Sequence, residues 1–144
     1  MKPVAYLLDT NAISEAVKSR QNRGYMDWLN STDDTQMFTS CFTIGEIQKG
    51  AILTKDLALK RRLDQYLSGL HEAFADRIQE LNVNDAVLWG KLTAKSQQAG
   101  KTSPVIDTLI AAQCINRQMV LVTRNVKDFS QFSELELLCP WSTD

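Results

Sequence analysis

The sequence predicts an α/β fold, a three-layer sandwich with a mostly parallel central β-sheet covered by helices on both faces. Three observations carry this. The strand-like segments, residues 4–8 and 119–123 above all, are continuous apolar runs, as in strands buried on both faces, without the two-residue alternation of a half-exposed sheet. They alternate with amphipathic helical segments, the rhythm of parallel strands joined by crossover helices. Finally, 144 residues, 44% hydrophobic and 23% charged, are enough for a core without disulfide or metal staples. With no linker, repeat or low-complexity tract, the expectation is one α/β domain over residues 1–144.

Taken in order, residues 4–8 form the first strand, which stops at Asp9. Ligands of a parallel sheet gather outside the carboxyl ends of its strands, so an acid here is placed for chemistry. Asp, Thr and Asn are also good N-caps, so Asp9 can equally be a helix cap. Residues 11–19 read as a helix with Ala12, Ile13, Ala16 and Val17 on its apolar stripe, followed after a polar turn by a short helix carrying Met26, Trp28 and Leu29. Residues 37–42 contain β-formers and give a second strand. Thr43-Ile44-Gly45-Glu46 opens the next helix.

Residues 56–77 follow as a long helix, with Leu59, Leu63, Tyr66, Leu67, Leu70 and Phe74 at spacings of three and four. Residues 78–81 suit a short third strand. Asn84 or Asp85 caps a helix to about residue 99, and Gly100 suits its left-handed C-terminal turn. Ser103-Pro104 starts another helix, cap then proline, reaching about residue 117. Residues 119–123 are a fully apolar strand, 124–129 a polar turn, and 135–138 a last edge strand before Pro140 and Trp141.

The totals exclude several functions. Cys41, Cys114 and Cys139 are odd in number, widely spaced and in apolar context, which reads as buried reduced thiols. One histidine, His71, on the long helix, leaves almost nothing for a Cys/His zinc site or a Ser-His-Asp triad. The net charge of −1 and pI of about 5.8 give no global basic field for nucleic acid, so any such binding must rest on local patches and bound cations. No apolar run approaches a membrane span and no signal peptide is recognisable, so the expected location is cytoplasmic, with no membrane partner.

Four acids stand at element ends. Glu46 completes Thr43-x-x-Glu46, the pattern of a capping box, so a cap explains it locally. Asp107 resists that explanation. It shares a helix face with Ile110, Ala111 and Cys114, a stripe otherwise destined for the core, and burying an unpaired carboxylate costs more than the helix dipole returns. Asp128 follows the 119–123 strand and can be a solvated turn residue. With Asp9 these make four acids and no nearby histidine. Converging carboxylates repel one another and are tenable mainly around a divalent ion, and oxygen-only ligands select Mg²⁺ or Mn²⁺. Such an ion activates water against a phosphodiester, with Asn11 and Thr123 available to orient acids or water.

At these residues the sequence resembles the PIN domain, in particular its bacterial toxin branch of the VapC and FitB type. The carriers are Leu8-Asp9-Thr10-Asn11, Thr43-x-x-Glu46-Ile47-x-x-Gly50, Asp107-x-x-Ile110-Ala111-Ala112 and Thr123-x-Asn125-x-x-Asp128-Phe129, in this order over nearly the whole chain. The ending Leu137-Leu138-Cys139-Pro140-Trp141 is similar to that of FitB-like members. The resemblance implies a metal-dependent endoribonuclease toxin of a toxin–antitoxin pair. Asp9, Glu46 and Asp107 would be the main ligands of Mg²⁺ or Mn²⁺ and Asp128 a fourth, often through water, with Thr123 and Asn125 as supporting polar groups. It also implies a homodimer and a cognate antitoxin that covers the site.

For the RNA substrate, Arg124 beside the acids is the phosphate contact to expect, whereas Lys60, Arg61 and Arg62 read as a solvated helix face. The surplus of apolar residues on the 56–77 helix fits either an interface or the chain's own core. A phosphatase using Asp9 as nucleophile would want a second acid at position 11, which is Asn11. A non-catalytic binding module and a DNA-cutting nuclease remain as alternatives, since nothing in the residues separates RNA from DNA.

Overall fold

The computed structural model describes residues 2–143; Met1 and Asp144, the ends of the expected domain range, lie outside the described residues. Among the described residues five strands form one all-parallel sheet in the order β3-β2-β1-β4-β5. The chain runs β1 (Tyr6–Leu8), α1 (Thr10–Val17), α2 (Arg23–Ser31), β2 (Met37–Ser40), α3 (Cys41–Leu53), α4 (Leu57–Phe74) and β3 (Ile78–Gln79). It continues through α5 (Val83–Gln98), α6 (Val105–Arg117), β4 (Val120–Val122), α7 (Val126–Phe129) and β5 (Leu137–Leu138).

The short strands alternate their side chains between two cores, one on each sheet face. Leu7 and Leu121 join Ile110, Ala111, Cys114 and Phe129 on one side. Leu8 and Val122 join Ile13, Tyr25, Ile47, Leu63 and Phe74 on the other. This is why the sequence shows unbroken apolar runs: both faces of the sheet are covered. Most of the α4 stripe is spent on this core, with Leu63, Leu70 and Phe74 buried and Leu59, Tyr66 and Leu67 packed against it.

β1 is central, with β2 and β3 on one side and β4 and β5 on the other. The order therefore reverses at β1, and a crevice opens beyond the carboxyl ends of β1 and β4. Leu8 is in register with Val122, and the Asp9 amide donates to the Val122 carbonyl at 3.2 Å, so Asp9 and Thr123 leave the sheet side by side.

Several local expectations shift. β2 ends at Ser40 and α3 begins at Cys41, two residues before Thr43, because Ser40 is itself the cap: its hydroxyl accepts from the Phe42 amide at 3.1 Å. The same hydroxyl donates to Gln113 at 2.6 Å, pinning α3's start to α6. Thr43 therefore lies inside the helix and the Thr43–Glu46 capping box does not form. The cap of α5 is Asn82, in a reciprocal capping box with Asp85, ahead of the expected Asn84 or Asp85. Pro104, without a side-chain cap, takes the position expected of Ser103. The polar turn after β4 winds into the single turn α7. All three cysteines are free, but only Cys114 is buried; Cys41 is half-buried and Cys139 exposed, because the last strand lies at the sheet edge. His71 is exposed on α4.

Candidate active site

Asp9 is both the cap and the acid the sequence leaves open. Its Oδ1 accepts from the Ala12 amide at 3.0 Å, and its Oδ2 accepts from Asn11 Nδ2 at 3.1 Å. Asn11 then uses its Oδ1 to accept from the Arg124 amide at 2.8 Å, tying the β1–α1 turn to the loop after β4. Thr123, wholly buried, accepts from the Asn125 amide at 3.0 Å and turns its hydroxyl to Asp9. Asn11 and Thr123 thus bond one carboxylate, and Asn125 enters through its backbone amide, which donates to Thr123.

Glu46 projects from the second turn of α3 and accepts from the Thr10 hydroxyl. With no capping box to satisfy, its carboxylate is free to face the crevice. Asp107 lies in the first turn of α6, half-buried, and lines the same cleft of about 370 Å³ as Asp9, Glu46, Asn11, Arg124 and Asn125. Three acids from three separate elements therefore line one cleft. Asp128, exposed on α7, stands outside the cleft wall, yet near enough for its charge to act on Asp107.

The electrostatics reflect this crowding. Burial is the main cause raising Asp9 from an ordinary 3.8 to about 6; the Asp107 charge adds to it, and the bonds from Thr123, Ala12 and Asn11 oppose it. Asp107 is raised as well, by burial first and then by the charges of Glu46 and Asp128. Among the described residues none of the four acids is in a salt bridge; the ion pairs there are Lys18–Glu15, Lys60–Asp64 and Arg117–Asp85. Uncompensated negative charge with oxygen-only donors suits a hard divalent cation. Among the described residues no three Asp, Glu, His or Cys side chains are gathered to hold one ion. A closed protein cage is thus not preformed. The donor set fits an ion such as Mg²⁺, which keeps several waters and takes one or two carboxylates directly.

The sequence reading missed two contributors. Thr10 fixes Glu46, and in the Asp9-Thr10-Asn11 triplet only its polarity hinted at a role. Glu15, buried on α1 at the cleft wall, accepts from Trp141 Nε1 at 2.8 Å and from the Asn22 amide at 3.0 Å. Burial pushes Glu15 up, but these bonds and Lys18 outweigh it and hold it below the ordinary carboxylate range. Its signal was an acid among the small apolar residues of the first helix. With its oxygens already engaged, Glu15 anchors the C-terminal tail and leaves the open coordination to the other acids.

A family profile for the PIN domain matches residues 6–135. Toxin FitB of Neisseria gonorrhoeae (strain ATCC 700825 / FA 1090) is 28% identical over 139 residues, covering 94% of this chain and 97% of FitB. VapC ribonuclease Y4jK of Sinorhizobium fredii (strain NBRC 101917 / NGR234) is 28% identical over 138 residues, covering 94% of this chain and 96% of its own length. The crystal structure of FitAcB from Neisseria gonorrhoeae superposes with a TM-score of 0.84 at 26% identity, covering 94% of this chain and 98% of that one. A match over nearly the whole chain, with the parallel sheet and the crevice of acids it frames, makes the protein a member of the PIN-domain family.

Proposed function

We propose that this chain is the toxin of a toxin–antitoxin pair and a metal-dependent endoribonuclease, acting in the cytoplasm as a homodimer. The observation that carries the nuclease reading is that Asp9, Glu46 and Asp107 line one cleft with, among the described residues, no cation of the protein paired to them. The toxin and RNA parts draw support from the relatives, named as a toxin and a ribonuclease, and the antitoxin part rests on the resemblance of the motifs to the VapC and FitB branch.

In this reading Asp9, Glu46 and Asp107 would hold Mg²⁺ or Mn²⁺, with Asp128 contributing through water. Occupied in this way, the site would gain a Lewis acid that lowers the pKa of water and offsets charge on a phosphodiester. The rest falls to the chain itself. Asn11 and Thr123 keep the Asp9 carboxylate in one rotamer, and Thr10 does the same for Glu46. Arg124, exposed at the cleft wall, offers a guanidinium to the substrate phosphate. The phosphatase alternative loses ground here, because the side chain at position 11 is an amide already bonded to Asp9 and to the Arg124 backbone.

The test compares wild type with Asp107→Asn on mixed RNA and on DNA of matched length, with Mg²⁺ or Mn²⁺ and then with chelator. RNA cleavage by wild type alone, lost on chelation and reduced in Arg124→Ala, is the expected result. Equal cleavage by wild type and Asp107→Asn would assign the activity to a contaminant and overturn the reading. Cleavage of DNA in place of RNA would correct the substrate.

A further inference from the structure

A second cleft, of about 220 Å³, lies between α5 and the segment after α7. Leu88, Lys91, Leu92, Lys95 and Ser96 recur at three- and four-residue spacing, so they share one face of α5, and they line the cleft together with Ala99, the residue that ends the helix. Leu88 and Leu92, with the buried Phe132 opposite, give the cleft an apolar floor, and Lys91 and Lys95 stand at its edge.

Gly100 brings in a third lysine. Its φ of +70° stops α5 in a left-handed turn, and the Lys101 amide returns to the Ser96 carbonyl at 2.8 Å while the Gly100 amide bonds Gln97 at 3.0 Å. Lys101 is thereby folded back onto the cleft. Among the described residues none of these three lysines is in an ion pair, in contrast to Lys60, which is paired with Asp64, and Arg62, which bonds the Val17 carbonyl. One acid, Glu134, also lines the cleft.

One residue ties the cleft to the turn that carries Asp128. Gln131 accepts from Ser96 Oγ at 3.0 Å and donates to the Asp128 carbonyl at 3.4 Å, so the wall of the lysine cleft is bonded to the turn that carries Asp128. A chain with a net charge of −1 thus gathers three ammonium groups, unpaired among the described residues, in a cleft tied to the turn of Asp128, whose charge reaches Asp107. We propose that Lys91, Lys95 and Lys101 bind the phosphodiester backbone of the nucleic-acid strand whose scissile bond lies at the acids, the strand's sugar or base resting on the Leu88–Leu92 floor. This rests on the reading of the chain as a nuclease. It identifies a path for the strand on the Asp128 side, where the cations offset the acids' repulsion of the substrate.

The test measures fluorescence anisotropy of a labelled single-stranded oligonucleotide, in chelator so that binding is separated from cleavage, over a range of salt. Each phosphate contact by a lysine adds about 0.7 to the slope of log affinity against log salt for a single strand. Changing Lys91, Lys95 and Lys101 to Gln is expected to reduce that slope by about 2 and weaken binding at least about tenfold near 0.1 M salt. A charge-matched control, Lys2→Gln with Lys55→Gln and Arg61→Gln, all exposed, is expected to bind as wild type. An unchanged slope in the first variant, or an equal loss in the control, would overturn the proposal, as would an acidic peptide competing as well as the oligonucleotide. The two readings fail separately. Wild type that cuts RNA with metal while the lysine variant binds and cuts equally well removes the cleft alone. Lysine-dependent binding without metal-dependent cutting removes the nuclease and keeps the cleft.

Discussion

The acid cluster carries a stability cost that Asp9→Asn should release. Asp9 is almost fully buried and titrates near 6 in the fold against an ordinary 3.8. At about 1.4 kcal/mol per tenfold, holding it ionised destabilises the folded, metal-free protein by about 3 kcal/mol at neutral pH. The sign follows from the raised value. Between about pH 4 and pH 6 the unfolded chain has released this proton and the native state has not, so this group's contribution to stability falls as pH rises through that window. The whole penalty is present above about pH 7.

The variant keeps the cap, since an asparagine Oδ1 can accept from the Ala12 amide. It loses the bond from Asn11 Nδ2, worth about 1 kcal/mol. The expected net gain is therefore about 2 kcal/mol near pH 7.5, shrinking to nothing or reversing near pH 4. Urea unfolding of both proteins in chelator, at several pH values, measures this directly. Added Mg²⁺ should then stabilise wild type more than the variant, because an ion at the cleft compensates the buried Asp9 charge that the variant lacks. Parallel pH profiles for the two proteins, or a variant less stable near pH 7.5, would refute the account of Asp9.

Two further outcomes follow from the structural ties. Asp85 is fully buried; burial pushes its carboxyl up, but Arg117, Asn116 and the Asn82 amide overcome this and hold it below the ordinary range. Arg117→Met should thus cost about 3 kcal/mol by leaving a buried charge without its cation, read as a lowered urea midpoint. Because the depressed value makes this pair's contribution vanish as pH falls, wild type and variant should converge in acid. Gly24 faces the tail: a Cβ there would lie 2.7 Å from the Ser142 nitrogen and 2.8 Å from the Pro140 oxygen, both backbone atoms. Gly24→Ala should cost about 2 kcal/mol and change the near-ultraviolet signal of Trp141, which stacks on Tyr25 at 4.5 Å; an unchanged signal and stability would show that the tail is not clasped there.

What the sequence determined by itself is whatever depends on short-range pattern. Unbroken apolar runs at 4–8 and 119–123 announced strands covered on both faces, and the cores around Leu7 and Leu8 bear this out. Asp107 stood out because a carboxylate on a core stripe needs a reason, and it does face the cleft. Glu46 was less legible. Ser40 and Thr43 are both good caps three residues apart, and only the register of β2, ending at Ser40, decides between them and frees Glu46 from a capping role.

The strand order, with β1 at its centre, was equally invisible. It is set by which strands pair across long stretches of chain, and it alone places Asp9, Glu46 and Asp107 in one crevice. Glu15's link to Trp141 and the convergence of Lys91, Lys95 and Lys101 belong with it. Local sequence fixes periodicity and caps because these involve neighbours within one or two turns. Which side chains meet from distant elements is decided by packing against a shared core, which no single segment encodes.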